Sequence, residues 1–185
     1  MESVGFKEWA LVCEALARGE QSVILRKGGI AEGRDGFAFR HREFFLFPTF
    51  FHEQAGKVRG TPADIPETRN GEVAIQLWAK LETSVHVTSW ETAAALEPFH
   101  ILQSEVVRER FDYDQLPGLH VGIVRIFRLR PRWIFADAPG YGGCRSWVKL
   151  PELPSATTLE PVLADEEHRA RVAQLRRVLD PATAP

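Results

Sequence analysis

The stretch EVAIQLWAKLETSVHV, residues 72–87, alternates apolar and polar side chains along its length. One face of the pattern carries Val73, Ile75, Leu77, Ala79 and Leu81, and the other carries Gln76, Trp78, Lys80 and Glu82. A period of two is typical of a strand that turns one face toward a core. The stretch therefore predicts a long strand, or two strands joined by a bulge.

Further strands are predicted on both sides of this one. Apolar runs rich in β-branched and aromatic residues, separated by Gly, Pro and polar turns, are typical of strands. They occupy residues 21–26, 119–130, 133–135 and 144–150. Two phenylalanine-rich runs, 37–39 and 44–47, flank a polar group and predict a hairpin, with Pro48 ending its second strand.

Helices are predicted at both ends of the chain. In residues 3–18, apolar side chains recur at helical spacing, with Ser3 as a candidate N-cap and Gly19 as a left-handed C-terminal residue. Cys13 lies within that apolar face, so we expect it to be buried. Residues 91–96 and 104–111 predict short helices, and 165–179 predicts a C-terminal helix capped by Asp165.

This order of elements favours an α+β fold over a doubly wound parallel one. We expect a mainly antiparallel sheet or partly closed barrel, with an N-terminal helix, short connecting helices and a C-terminal helix. The 185 residues predict a single domain, 1–185. Its core is expected at about 3–150, followed by a Pro-containing linker at 151–164 and the helix at 165–179.

Composition excludes few functions. The chain is 44% hydrophobic and 26% charged, and its net charge of -2 gives no overall attraction to nucleic acid or membrane. No apolar run reaches the roughly 20 residues of a membrane span, and the N-terminus lacks the pattern of a signal peptide. We expect a cytoplasmic protein of bacterial type without a membrane partner.

Two glycine-containing segments at strand ends suggest binding sites. Arg26 and Lys27 precede Gly28 and Gly29, where backbone amides could approach a phosphate or carboxylate. The alternative interpretation is a strand end with solvated charges. The second segment runs from Tyr141 to Trp147 and contains two glycines, Cys144 and Arg145.

Two side chains are candidates for catalysis. His52, which follows Pro48 and Thr49, suits a titrating role, although a surface histidine is the simpler interpretation. Cys144 would need a base to act as a nucleophile. Strand alternation predicts that Cys144 faces the core, away from Arg145. No histidine spacing indicates a metal site.

Arg125 stands in the otherwise apolar odd-numbered row of the 119–130 strand. A guanidinium in such a place must pair with an acid or reach a polar cavity. The even face, with His120, Arg128 and Arg130, forms a basic edge that is either solvated or able to contact a nucleic-acid backbone.

Several segments together resemble the bacterial family catalogued as domain of unknown function 1802. They are Lys7-Glu8-Trp9-Ala10, Leu25-Arg26-Lys27-Gly28-Gly29-Ile30, Leu46-Phe47-Pro48-Thr49 with His52, and Tyr141 through Val148. The resemblance spans about residues 5–150. It brings no activity, cofactor or catalytic residue to this chain.

The leading hypothesis is a pocket that binds an anionic ligand, with nucleic-acid phosphate as the main candidate. Its predicted residues are Arg26, Lys27, Gly28, Gly29, Thr49, His52, Arg125, Tyr141, Arg145 and Trp147. One alternative is a non-catalytic module that binds a protein partner. Another is a hydrolase that uses Cys144 or a noncontiguous metal site. Whether the protein is an enzyme stays open, and no cofactor is predicted.

Overall fold

The computed structural model describes residues 3–27, 37–60, 71–113 and 116–180. Within these ranges the chain forms seven strands and four α-helices. The strands are β1 (Val4–Trp9), β2 (Val23–Arg26), β3 (Glu43–Thr49), β4 (Glu72–Val87), β5 (Leu119–Ala136), β6 (Trp147–Lys149) and β7 (Thr158–Pro161). The helices are α1 (Ala10–Ala17), α2 (Trp90–Ala95), α3 (Ser104–Phe111) and α4 (Asp165–Leu179).

The strands form one open sheet in the order β2-β5-β4-β3-β1-β6, and β7 pairs with β5. β1 and β3 are parallel, and the other pairs of this sheet are antiparallel. The long β4–β5 pair has register shifts between Ile75 and Leu77 and between Leu81 and Thr83, which are the sites of bulges. The prediction of an α+β fold with a mainly antiparallel sheet is confirmed.

The core consists of two apolar clusters. The larger includes Phe6, Leu16 and Phe44 with the inner side of α1, and the smaller includes Phe45, Phe47 and the residues packed around them. Because successive residues of β3 point to opposite faces, Phe44 belongs to the first cluster and Phe45 to the second. The sheet therefore separates the two clusters.

The prediction of one helix over residues 3–18 is wrong in its first half. Residues 4–9 form β1, and α1 begins only at Ala10. Trp9 takes the N-cap position without a side-chain cap, so Ser3 does not cap the helix. The physical reason is tertiary pairing: β1 lies between β3 and β6, and both of its faces are buried. Cys13 is buried on α1, as predicted.

The predicted hairpin is also wrong. Residues 37–41 form no strand, and Phe37 and Phe39 instead pack their rings around Phe6. β3 continues through Pro48 to Thr49. A proline is tolerated there because its missing N–H falls near the end of the strand.

The C-terminal region differs from its prediction in two details. The expected linker contains β7, which pairs with β5. Ala164, not Asp165, is the N-cap of α4, and Asp165 instead forms an ion pair with Arg125. The helix itself is confirmed at Asp165–Leu179, and Val172 and Leu175 are buried on its inner face. Among the described residues, no helix is long and apolar enough to cross a membrane.

Gly19 ends α1 with a φ of 72°, as its predicted left-handed position requires. We expect Gly19→Ala to lower the free energy of unfolding by about 1–3 kcal/mol. The new Cβ would also lie 2.5 Å from Cδ2 of Leu163, which would have to move. Urea denaturation should be compared with Gly56→Ala, where an added Cβ meets nothing within 4 Å. Equal losses in the two variants would contradict this strain.

Candidate functional site

The site is built around β1, which supplies polar side chains to both faces of the sheet. Lys7 and Glu8 are only 7% and 1% exposed. Phe6 and Glu8 point toward the larger apolar cluster, whereas Gly5 and Lys7 lie on the opposite face, because side chains alternate along a strand. Burying two charged residues in one strand is costly unless each finds polar partners.

Lys7 finds its partners in the turn before β6. Its Nζ donates hydrogen bonds to the carbonyl oxygens of Gly142 at 3.1 Å and Gly143 at 3.0 Å. The φ of Gly143 is 77°, a conformation that favours glycine. The paired glycines of this segment therefore expose two carbonyl groups to the buried ammonium.

Arg26 reaches the same turn from the other edge of the sheet. Its Nη2 donates to Oγ of Ser146 at 3.1 Å, and its Cζ lies 5.4 Å from the ring centroid of Phe6. β2 and β6 are the two ends of the strand order, so this hydrogen bond connects edges that share no backbone pairing. Side chains therefore link the two edge strands here, and the sheet itself is not closed.

Three cations therefore surround one turn. We call residues 142–146, together with Lys7 and Arg26, the cationic turn; it includes the exposed Arg145. Burial lowers the pKa of Lys7 below its ordinary value, and the charges of Arg145 and Arg26 lower it further. Arg145 and Arg26 therefore both lie within electrostatic reach of Lys7.

Trp147 anchors the turn to the core. Its ring centroid lies 4.8 Å from that of Phe6, 5.3 Å from that of Phe44 and 4.9 Å from that of His41. The indole is partly buried, and its Nε1 has no hydrogen-bond partner among the described residues. Most of this side chain serves packing and is not presented to a ligand.

A groove of about 800 Å³ opens beside the cationic turn. It is bounded by the start of α1, the end of β3, the start of β4 and the turn that follows β5. The lining residues that matter below are Glu14, Phe47, Phe50, Gln76, Asp137 and Tyr141. Two predicted site residues, Thr49 and Tyr141, line this groove, and Gly142 belongs to both the groove and the turn.

Thr49 links the end of β3 to β1 through its side chain. Thr49 Oγ1 donates to the Glu8 carbonyl at 3.0 Å. A 3₁₀ segment, His52–Lys57, follows, and its N-cap is Phe51, so Thr49 does not cap it. His52 begins this segment, and the structure describes its backbone alone.

The predicted pocket is only partly assembled. The structure brings Arg26, Arg145, Tyr141, Trp147 and Thr49 to one end of β1. Arg125 lies elsewhere, because it pairs with Asp165 at the start of α4. The prediction that it pairs with an acid holds, but the partner belongs to the C-terminal helix.

Lys27 points away from the cationic turn toward the end of α3. Its Nζ donates to the carbonyl oxygens of Phe111 and Leu116. Gly28 and Gly29 lie outside the described residues. The part of the prediction that placed a diglycine corner in the pocket therefore stays a prediction.

Cys144 does not face the core, so that prediction is wrong: the thiol is exposed. The reason is that strand pairing starts only at Trp147, so the alternation of a strand does not extend back to residue 144. Among the described side chains, no hydrogen bond joins a histidine to Cys144, and no group of three or more potential ligands could hold a metal.

The sequence reasoning missed four polar residues of the site. Lys7 and Glu8 were assigned to a helix face. Arg110, from α3, donates to the Leu25 carbonyl at 2.8 Å and lies 4.4 Å over the Trp9 ring. Gln54, fully buried, accepts from the Leu11 amide at 3.1 Å. The adjacent charges of Lys7 and Glu8 in an apolar stretch were the one available signal.

Comparisons with known proteins give a family and a distant likeness. A family model described as Domain of unknown function (DUF1802) matches residues 5–174. The crystal structure of ASCH from Zymomonas mobilis is similar at 13% identity, with a TM-score of 0.44, covering 94% of this chain and 95% of that one. Two mutants of the same protein give TM-scores of 0.42 and 0.41 at 13% and 14% identity, covering 94% of this chain and 96% and 98% of theirs. No curated protein gives a significant match.

Proposed function

We propose, from the premise that this chain belongs to the family described as Domain of unknown function (DUF1802), that the cationic turn binds an anionic ligand. The preferred ligand is the phosphate of a single-stranded nucleic acid. The family description names no activity, so the proposal depends on the site. The observation that carries it is the convergence of Lys7, Arg26 and Arg145 on one glycine-containing turn.

In the part of the chain that the structure describes, no carboxylate is paired with any of the three cations, Lys7, Arg26 and Arg145. The carboxylate of Asp137 raises the pKa of Lys7, but its effect is smaller than those of the other charged groups that shift this pKa. Like charges held together destabilise a fold, and a bound anion relieves the repulsion.

The three groups have different parts in this proposal. Arg145 is exposed and presents a planar guanidinium, which matches two oxygens of a phosphate. Lys7 and Arg26 are held by the Gly142, Gly143 and Ser146 oxygens. They therefore supply a fixed positive potential beneath the ligand at little further entropy cost.

Binding of short single-stranded RNA or DNA, measured by fluorescence anisotropy, tests the proposal. We expect log K to fall linearly with log salt, with a slope of about -0.7 for each phosphate contacted. One to three contacts are expected from a cluster of this size. Absence of binding at low ionic strength would reject the nucleic-acid form of the proposal.

Reversing one charge should weaken this binding without unfolding the protein. We expect Arg145→Glu to reduce affinity about tenfold or more and to make the salt slope less steep by about 0.7. Arg177→Glu is the matched control, because Arg177 is exposed on α4, a helix that packs against β5 and α2. Equal loss of affinity in the two variants would mean that binding follows net charge and not the cationic turn.

A further inference from the structure

We infer that the groove beside the cationic turn receives the base of the nucleotide whose phosphate lies on the turn, and that it favours bases with an exocyclic amino group. The inference rests on the proposed function, which concerns the phosphate of the ligand and leaves its base open. It predicts adenine, cytosine or guanine in preference to uracil or thymine.

The groove lies on the face of the sheet that carries Lys7. Lys7 is paired in register with Phe47, which is one of the residues that line the groove. Gly142, whose carbonyl accepts from Lys7, also lines it. When the phosphate of a nucleotide lies on the turn, its base is therefore within reach of the groove.

The walls suit a flat ring. Phe50 is 38% exposed at the edge of the groove, and the half-buried Tyr141 packs against the buried Phe47 with ring centroids 5.3 Å apart. Aromatic side chains that remain accessible in a groove stack with nucleobases of any type. The volume of about 800 Å³ exceeds what one nucleoside requires.

The polar groups of the groove are mainly acceptors. Glu14 and Gln76 both line the groove, and Gln76 Nε2 donates to Glu14 Oε1 at 2.5 Å, which leaves the second carboxylate oxygen and the amide oxygen of this pair as acceptors. Asp137 adds a second carboxylate at the rim, and Arg132 is the single cation among the described lining residues.

Acceptors of this kind require donors on the ligand. An exocyclic amino group of cytosine or adenine donates to carboxylate and amide oxygens, whereas uracil presents a carbonyl oxygen at the corresponding position. The carboxylates also repel a phosphate from the groove. The charge distribution thus separates the two parts of one nucleotide: phosphate on the turn, base in the groove.

The test compares homopolymers of equal length. We expect single-stranded oligo(C) and oligo(A) to bind about tenfold more tightly than oligo(U) at the same salt concentration. The mononucleotides CMP and UMP form a second arm. Tight CMP binding would identify a free nucleotide as the ligand, and binding of the oligomer alone would identify a strand.

Glu14→Gln examines the acceptor directly. We expect the ratio of oligo(C) to oligo(U) affinity to fall toward one, while the salt slope stays unchanged because no phosphate contact is altered. Glu105→Gln, an exposed residue of α3, is the matched control and should keep the wild-type ratio. Phe50→Ala leaves the Glu14–Gln76 pair intact and should weaken all oligomers by a similar factor.

The two proposals fail in different ways. If all homopolymers bind equally and Arg145→Glu weakens each of them, the base preference is wrong and the cationic turn remains the binding site. If Glu14→Gln melts at the wild-type temperature but keeps the full preference, the groove does not read the base. If no oligomer or nucleotide binds at low salt, the proposed function falls together with the inference.

Discussion

Phe6→Ala is expected to lower the free energy of unfolding by about 3–5 kcal/mol, the usual cost of removing a fully buried aromatic ring. Phe6 is 0% exposed, and its ring packs against Phe37, Phe44 and Trp147 with centroid distances of 6.1, 5.5 and 4.8 Å. Alanine would leave a cavity among these rings that a closely packed core cannot close by small shifts.

The same substitution should affect the site. The Phe6 ring lies beneath the Arg26 guanidinium and beside Trp147, so both lose their support. We expect weaker nucleic-acid binding even at temperatures where the variant is folded. Urea denaturation and anisotropy measure the two effects. Phe135→Ala, which removes a half-buried ring of the second cluster, is the control. A loss for Phe6→Ala no greater than for Phe135→Ala would contradict the central role of Phe6.

The second large effect is a dependence of stability on pH caused by His100. Burial, followed by the charges of Arg59 and Arg110, lowers the pKa of His100 from its ordinary 6.5 to about 4. Between these values the unfolded chain binds a proton that the folded protein does not, so stability rises with pH across this window and falls as acid is added. This lowering of the pKa of His100 corresponds to about 3 kcal/mol of stability that is lost between pH 7 and pH 4.

His100→Asn separates this contribution from those of other groups. Nδ1 of His100 accepts a hydrogen bond from the Leu102 amide at 3.1 Å, and an asparagine carbonyl oxygen can take that place without titrating. Unfolding free energies measured from pH 4 to 7 should therefore rise less steeply with pH in the variant. His86→Asn alters an exposed histidine, keeps His100 and should keep the wild-type slope. An unchanged slope in His100→Asn would show that His100 is not the responsible group.

The long elements of this fold were predictable because each has one clear period. The alternation in residues 72–87 predicted β4, and the helical spacing in residues 165–179 predicted α4. β1 was missed because the spacing of Phe6, Trp9 and Ala10 continues smoothly into the true helical pattern of α1. Only the pairing of β1 with β3 and β6 makes residues 4–9 a strand, and the partner residues lie far along the chain.

The site was predictable in its local parts and not in its assembly. The Gly-containing segment 141–147 marked Arg145 correctly as a neighbour of irregular backbone. The contribution of Lys7 depends on the register between β1 and β6, which no local pattern reveals. Arg125 was predicted to belong to the pocket because it stands in an otherwise apolar row. In the structure α4 packs nearby, and Arg125 forms an ion pair with Asp165 of that helix.

The position of β1 between β3 and β6 also has a consequence for synthesis on the ribosome. Gly5 pairs with both Phe45 and Val148, so β1 acquires its second neighbour, β6, only after translation has passed residue 148. Until then the growing polypeptide exposes an unpaired strand edge rich in hydrophobic groups, and chaperones bind exposed surface of this kind. The cationic turn consequently forms late, because the pairing of β6 with β1 places residues 142–146 beside Lys7.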